Sequence, residues 1–386
     1  YGYKFDLLKV ENTSAISKFN GSTIFISQKE DIFNFDLRST IDFSINIHAL
    51  LGSILVVNGE HNESYIPEIQ HVRRRETIAM TPANSLAALK FLIEPSSFDA
   101  TKNKKETSKT LVLDSIKAIT GTNTKALVGS SGLSIQYAIL MGLIHDALEN
   151  HKGKAIKIVV PPNCYGGTND QARRVAACIK NVEILDLPVD GEHDMVESID
   201  LVLNKIANEN GIPFIIAEIP TNPRVEVPNL KKLRDVLTEV RKSITGDIAI
   251  DPIFILDQTF CPNVHFFGDD EVLSSVRAIS YASGSKFPSG GLCTAGYCVG
   301  NEMTISLLSK IEKHLLLCDN EATAEQYKIL ANQLPSMNNR IDEAYQNTRD
   351  FVNFISKTLP VSAKNVFSKI SCASVLKASI FLYLPL

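Results

Sequence analysis

Apolar and polar positions settle into a regular rhythm only from about residue 108 onward. Before that, two short apolar stretches have the length and β-branched content of strands, Ser22-Thr23-Ile24-Phe25-Ile26 and Gly52-Ser53-Ile54-Leu55-Val56-Val57. Further along, Leu111, Leu113, Ile116 and Ile119 predict an amphipathic helix stopped at Gly121. Residues 131–152 read as a mostly buried helix ending at Gly153. An apolar strand over 156–160, closed by Pro161-Pro162, is followed by a helix over 168–181, a strand over 182–185 and a helix over about 193–209. A strand over 214–219, a helix over about 229–243 and strands over 253–256 and 276–280 continue the pattern. From about 302 the chain turns helical, with a long amphipathic segment over 321–357 that could link two domains. Such β-α alternation predicts an α/β fold, a mainly parallel sheet covered by helices. Sheets of this kind bind ligands beyond the carboxyl ends of their strands. Three regions are expected: an N-terminal segment over 1–95 with no motif, an α/β domain over 96–325, and a linking helix with a partial C-terminal domain over 326–386.

The chain of 386 residues is 44% hydrophobic, enough for a large core and more than one domain. A net charge of −4 with no basic run disfavours nucleic acid as a partner. Arg73-Arg74-Arg75 is a small basic cluster, read as a solvated face before an anion or subunit contact. Seven scattered cysteines without a C-x-x-C pair suggest neither a metal site nor a disulfide framework, and fit a reducing, cytoplasmic compartment. No apolar run reaches the ~20 residues of a membrane helix, and the apolar tail over 380–386 is too short to span. The chain opens on Tyr1 rather than Met, which fits processing or trimming, and no signal peptide is evident.

The candidate chemistry lies where strands end. Asp257 follows the run Ile253-Phe254-Ile255-Leu256; it is either a cap or turn aspartate or an anion facing a ligand. Lys286 follows the next strand within Ser283-Gly284-Ser285-Lys286-Phe287-Pro288-Ser289-Gly290-Gly291, either as a solvated amine or as a Schiff-base lysine among groups that grip a phosphate. The two features explain each other. Pyridoxal phosphate needs an amine for its aldehyde and an anion beside its ring nitrogen, so that the ring accepts electrons from a substrate carbanion. A phosphate site is expected where Gly129-Ser130-Ser131-Gly132-Leu133-Ser134 opens the long buried helix, since backbone N–H groups at a helix start bind anions. Tyr165 could stack on a flat ring or simply pack in its loop. Asn222 could donate to a ring hydroxyl or make an Asx turn before Pro223.

In their order and spacing, Ser130-Ser131-Gly132-Leu133, Cys164-Tyr165-Gly166-Gly167-Thr168, Pro220-Thr221-Asn222-Pro223, Asp257-Gln258-Thr259-Phe260 and Ser283-Gly284-Ser285-Lys286-Phe287 resemble the Cys/Met metabolism family of pyridoxal-phosphate enzymes. That family includes cystathionine synthases and lyases, methionine gamma-lyase and O-acylhomoserine sulfhydrylases, and the resemblance covers about residues 95–350. It implies the fold-type I transferase architecture with a smaller C-terminal α+β domain. It implies that Lys286 carries the cofactor as a Schiff base and that Asp257 is the pyridinium partner. Ser283 and Ser285, with the backbone at Ser131, Gly132 and Leu133, would hold the phosphate. Tyr165 would stack on the ring and take part in proton transfer, Asn222 would contact the ring hydroxyl, and Thr259 would pack beneath the ring. The implied substrate is a small amino acid, sulfur-containing or an O-acylated homoserine, acted on by beta/gamma-elimination or replacement in a homodimer or homotetramer. Transamination and a non-catalytic, cofactor-binding member are the alternatives.

Two departures from the family pattern stand out. A Tyr-x-Arg-x-x-Asn-Pro-Thr segment, which in the family reaches a neighbouring subunit's phosphate, corresponds here to 98–105. Phe98 stands at the tyrosine and Ala100 at the arginine, with Lys102 or Lys104 to replace the charge as a point rather than a fork. The stretch after Lys286 is also short, so the C-terminal domain is expected to be reduced or absent. The family's substrate-carboxylate arginine lies in that later part and is not located in this sequence; Arg340 and Arg349 fall in the long helix and are read as structural.

Overall fold

The computed structural model describes residues 22–27, 41–48, 52–75, 82–93, 105–189, 192–268 and 270–358. They belong to two compact units, Tyr1–Asn103 and Lys104–Leu386. The segment around Phe98, Ala100, Lys102 and Lys104 lies outside the described residues, as does the apolar tail.

In the first unit, both expected strand regions form. Strand β1 (Ile24–Ser27) pairs parallel with β2 (Phe43–His48), which pairs antiparallel with β3 (Gly52–Val57). Asp42, just ahead of β2, accepts hydrogen bonds from Thr23 N at 2.8 Å and from Asn62 Nδ2 at 3.0 Å, and stands 3.0 Å from His61 Nε2. These bonds, Asn62's first, hold its carboxyl down to about 2. Helices α1 (Tyr65–Arg75) and α2 (Pro82–Ile93) follow.

The second unit is the expected α/β layer structure. After α3 (Lys105–Thr120) come β4 (Leu127–Gly129), α4 (Gly132–Asn150), β5 (Ile156–Val160), α5 (Gly166–Cys178), β6 (Val182–Asp186), α6 (Met195–Asn208), β7 (Ile212–Glu218), α7 (Leu230–Thr238), β8 (Ile253–Asp257), β9 (Ala278–Ser283) and β10 (Gly296–Gly300). Among the described residues these strands form a seven-stranded sheet in the order β4-β10-β9-β8-β7-β5-β6. Only β10 runs against its neighbours, antiparallel to both β4 and β9. Strands β5, β7 and β8 are buried along their whole length, as continuous apolar runs covered on both faces must be. One face packs on α4, α5 and α8 (Ile305–Leu317), the other on α6 and α7. A third cluster joins β4 and β10 to α3, α9 (Ala324–Gln333) and the first turns of α10 (Met337–Thr358).

Several elements differ from the sequence expectation. Strand β9 continues to Ser283, because Tyr281 and Ala282 pair with Cys298 and Tyr297 of a strand the pattern does not announce. The helix expected to reach 243 ends at Thr238. The segment 321–357 is not one helix: α9 and α10 are separated by a 3-10 turn over Leu334–Ser336, where Pro335 cannot continue the hydrogen-bond ladder.

Helices α4 and α8 cross closely at Gly142. A Cβ there would lie 2.7 Å from Ile311 Cγ1 and 2.8 Å from its Cα and backbone N. Since the obstacle is backbone, it cannot turn aside. Gly142→Ala is therefore expected to destabilise the second unit by about 1–3 kcal/mol, as a lower midpoint in urea denaturation; an unchanged midpoint would mean that the two helices shift apart freely.

Candidate active site

Five strand ends converge on one edge of the sheet. In the parallel register Glu218 of β7 stands beside Asp257 of β8, and Asp257 beside Tyr281 of β9. At the end of β9, Ser283 pairs with Gly296, the first residue of β10, and Gly296 with Gly129, the last of β4. Groups far apart in sequence thus share one short arc.

Asp257 is the electrostatic centre of this arc. Its Oδ1 accepts from Thr259 N at 2.9 Å, which folds the chain over the strand end. Burial pushes its carboxyl pKa up, against hydrogen bonds from Thr259 and Tyr281 and the charge of Lys286. Thr259 Oγ1 in turn accepts from Ser283 N at 2.9 Å, tying the exits of β8 and β9 together. Beyond this tie the hydroxyls of Ser283 and Ser285 are 2.8 Å apart.

The start of α4 meets the same two serines. Ser131 caps the helix: its hydroxyl accepts from Ser134 N at 3.0 Å, while Ser134 Oγ accepts from Ser131 N at 2.9 Å. Ser131 therefore spends its side chain on the cap. The N–H groups of Gly132 and Leu133 are left without intrahelical acceptors. Glycine is required on both sides of this approach. A Cβ at Gly132 would lie 3.0 Å from Ser283 Cβ and 3.3 Å from its Oγ, and one at Gly296 only 2.4 Å from the Ser131 carbonyl oxygen. Two N–H groups of a helix start without intrahelical acceptors thus meet the strand exit at Ser283, whose hydroxyl is 2.8 Å from that of Ser285, a donor set suited to a phosphate.

Tyr165 precedes α5, and its half-exposed ring stands over Gly167, whose Cβ would meet Tyr165 Cε1 at 2.6 Å and the Leu133 methyls at 3.2 Å. Its backbone N donates to Glu218 Oε1 at 2.7 Å. Asn222 is half-buried and shares a narrow cleft with Asn163, Cys164, Glu218 and Thr221. Lys286 is exposed in the turn after β9, and no hydrogen bond or ion pair engages its amine among the described residues. Asp257, Thr259, Ser283, Ser285 and Lys286 thus end or follow adjacent strands of the sheet, with Ser131, Gly132, Leu133, Tyr165 and Asn222 in the segments after β4, β5 and β7.

Two members of the site carry no flag in the sequence. Glu218, only 6% exposed, looks like one more polar residue closing an apolar run, yet it holds the backbone of Tyr165. Tyr281 lies beneath, its hydroxyl donating to Gln136 Oε1 at 3.2 Å, and Thr168 Oγ1 donates to the same oxygen at 2.9 Å. Burial and then the charge of Asp257 push the Tyr281 phenol up. Burial, and then the charges of Glu218 and Asp257, push the Cys164 thiol up to about 12, which disfavours the thiolate. Among the described residues no cluster suits a metal ion, and no helix is long and apolar enough to cross a membrane.

No family model and no curated protein matches the chain. Solved structures similar to it include a cystathionine gamma-lyase, CalE6, from Micromonospora echinospora (18% identity, TM-score 0.44, 60% of this chain and 52% of that one). Others are MetB from Corynebacterium glutamicum (18%, 0.46, 64% and 55%) and cystathionine gamma-lyase from yeast (18%, 0.45, 58% and 49%). The chain spans about half the length of each. Likeness at this level fixes neither family nor reaction, so function rests on the site's own geometry.

A buried carboxylate without a bound cation burdens the folded state. Its raised pKa means that the folded chain holds the proton more tightly than the unfolded one, so stability falls as pH rises above the ordinary value of 3.8. In cofactor-free protein, Asp257→Asn keeps the acceptor for Thr259 N and removes the charge. It should raise the urea midpoint at pH 7, with the gap over wild type narrowing as pH falls toward 3.8. A midpoint at or below wild type at pH 7 would show that Asp257 is already compensated.

Proposed function

We propose that the chain is a pyridoxal-phosphate-dependent enzyme of the Cys/Met metabolism type, with the cofactor held covalently through Lys286. It acts on a sulfur amino acid or an O-acylated homoserine by beta/gamma-elimination or replacement. One observation carries the assignment. A buried carboxylate, Asp257, ends the strand beside the one that closes on Ser283, where the start of the helix at Gly132 approaches and the hydroxyls of Ser283 and Ser285 lie 2.8 Å apart. A ligand that is cationic at one end and a phosphate ester at the other satisfies both. The free amine of Lys286 beside them suits an aldehyde.

When bound, the cofactor supplies an electron sink for charge developing at the substrate's α-carbon. The chain's own groups supply the rest. Asp257 keeps a proton on the ring nitrogen, where its own burial makes the pairing strong. Gly132, Leu133, Ser283 and Ser285 grip the phosphate, with Thr259 holding Ser283 in place beneath the ring. Tyr165 would cover the open face and take part in proton transfer, Asn222 would donate to the ring hydroxyl, and the Lys286 amine, once the substrate's amino group has displaced it from the cofactor, would move the proton at the α-carbon. A working assembly of at least two copies belongs to the same proposal.

The test is incubation with pyridoxal phosphate and candidate amino acids, scored for ketoacid, ammonia and thiol. Release of ketoacid with ammonia or thiol from a sulfur amino acid is expected. Ketoacid without either would indicate transamination, and no product with cofactor bound would indicate a non-catalytic role. Lys286→Ala should lower turnover by about a hundredfold or more. Asp257→Asn should cost roughly a hundredfold while cofactor uptake persists; unchanged turnover would reduce Asp257 to a turn residue.

A further inference from the structure

The amine of Lys286 ends a flexible side chain with no partner of its own, so its direction depends on how firmly its backbone is held. The turn that carries it is fastened at both ends. Gly284 N donates to Ala295 O at 2.7 Å, Ser289 N donates to Gly284 O at 3.0 Å, and the fully buried Ser289 hydroxyl donates to Cys293 O at 3.0 Å. The middle of the turn is held from elsewhere. Arg340, in the first turn of α10, sits between Met337 and Ile341, both fully buried in the cluster that includes Ala282 and Ala295. Its Nη2 donates to the Phe287 carbonyl at 2.6 Å. Its Nη1 donates to the Gln333 carbonyl, at the end of α9, at 3.0 Å and to Ser336 Oγ. Gly290, at φ +61°, clears the way: a Cβ there would lie 3.3 Å from Gln333 Oε1 and 3.6 Å from Arg340 Nε.

We infer that Arg340 is a positioning residue for Lys286, its guanidinium fixing the carbonyl of the next residue and so the direction in which the amine leaves the backbone. The inference rests on the proposed role of Lys286. Three acceptors on two segments, the stretch Gln333–Ser336 and the turn at Phe287, need a rigid fork, which a lysine at this position cannot supply. The structural role that the sequence pattern assigns to Arg340 thus has a definite object, the turn that carries Lys286.

Two readouts on the full chain test this, neither of them turnover. The first compares binding of 4′-deoxypyridoxine phosphate, which has ring and phosphate but no aldehyde, with the rate at which pyridoxal phosphate becomes borohydride-fixed on Lys286. For Arg340→Ala, analogue affinity should be unchanged while capture slows by about tenfold or more, and added guanidinium ion should restore it. The second is amide hydrogen exchange in cofactor-free protein, which should rise at Ser289, Gly290 and Leu292 and not along β8 or β9. Wild-type capture and exchange in the variant would overturn the inference, as would loss of analogue binding in step with capture, the mark of a general structural role. If Arg340→Ala does not fold, Arg340→Lys and Arg340→Gln carry the same comparison. If wild-type protein takes up no cofactor, the proposed function falls, and exchange at the three amides alone decides whether Arg340 holds the turn.

Discussion

The hydrogen bond from Ser283 N to Thr259 Oγ1 closes the β8–β9 register at its carboxyl end, and the site hangs on that closure. It acts beside the bond from Gln258 N to the Tyr281 carbonyl at 2.8 Å, and Thr259 also bends back to Asp257 through its own N–H. Because β8 and β9 are parallel and β10 returns antiparallel between β9 and β4, the same edge gathers the helix start at Gly132. Few residues thereby bring an anion, two hydroxyls, two free N–H groups and an amine into one arc. The glycines at 132 and 296 are part of the same constraint, since side chains there would push the helix start away from Ser283.

Electrostatically the arc is unfinished by itself. Asp257 and Glu218 lie side by side on buried strand ends, and burial pushes Asp257 up, toward its neutral form. The polar layer of Gln136, Thr168 and Tyr281 beneath them satisfies hydrogen bonds without supplying a positive charge. A site that is costly when empty and compensated when a cation enters is a common exchange of stability for function. Burial first, and then the same two carboxylates, push the Cys164 thiol up as well.

Much of this arrangement is legible in the sequence because parallel, fully buried strands write themselves as mainly apolar runs. The runs at 156–160, 214–218 and 253–257 announce β5, β7 and β8, and the polar residues that end them announce the edge. Asp257, Lys286, Tyr165 and Asn222 stand out for that reason. Strands β4 and β10 do not, being three and five residues long and bounded by glycine; only long-range pairing makes them strands. Ser283 consequently reads as a loop residue though it ends a strand. Glu218 and Arg340 are silent for another reason. Their partners are backbone groups distant in sequence, Tyr165 N and Phe287 O, and no local pattern encodes such a contact.

The central claim is that the amine of Lys286 is the group that captures pyridoxal phosphate at this edge. The most direct measurement is reconstitution with the cofactor, reduction with borohydride, and peptide mapping by mass spectrometry. The expected result is a yellow protein whose reduced pyridoxyl label sits on Lys286. A colourless protein with no label, or a label carried by another lysine, would contradict it.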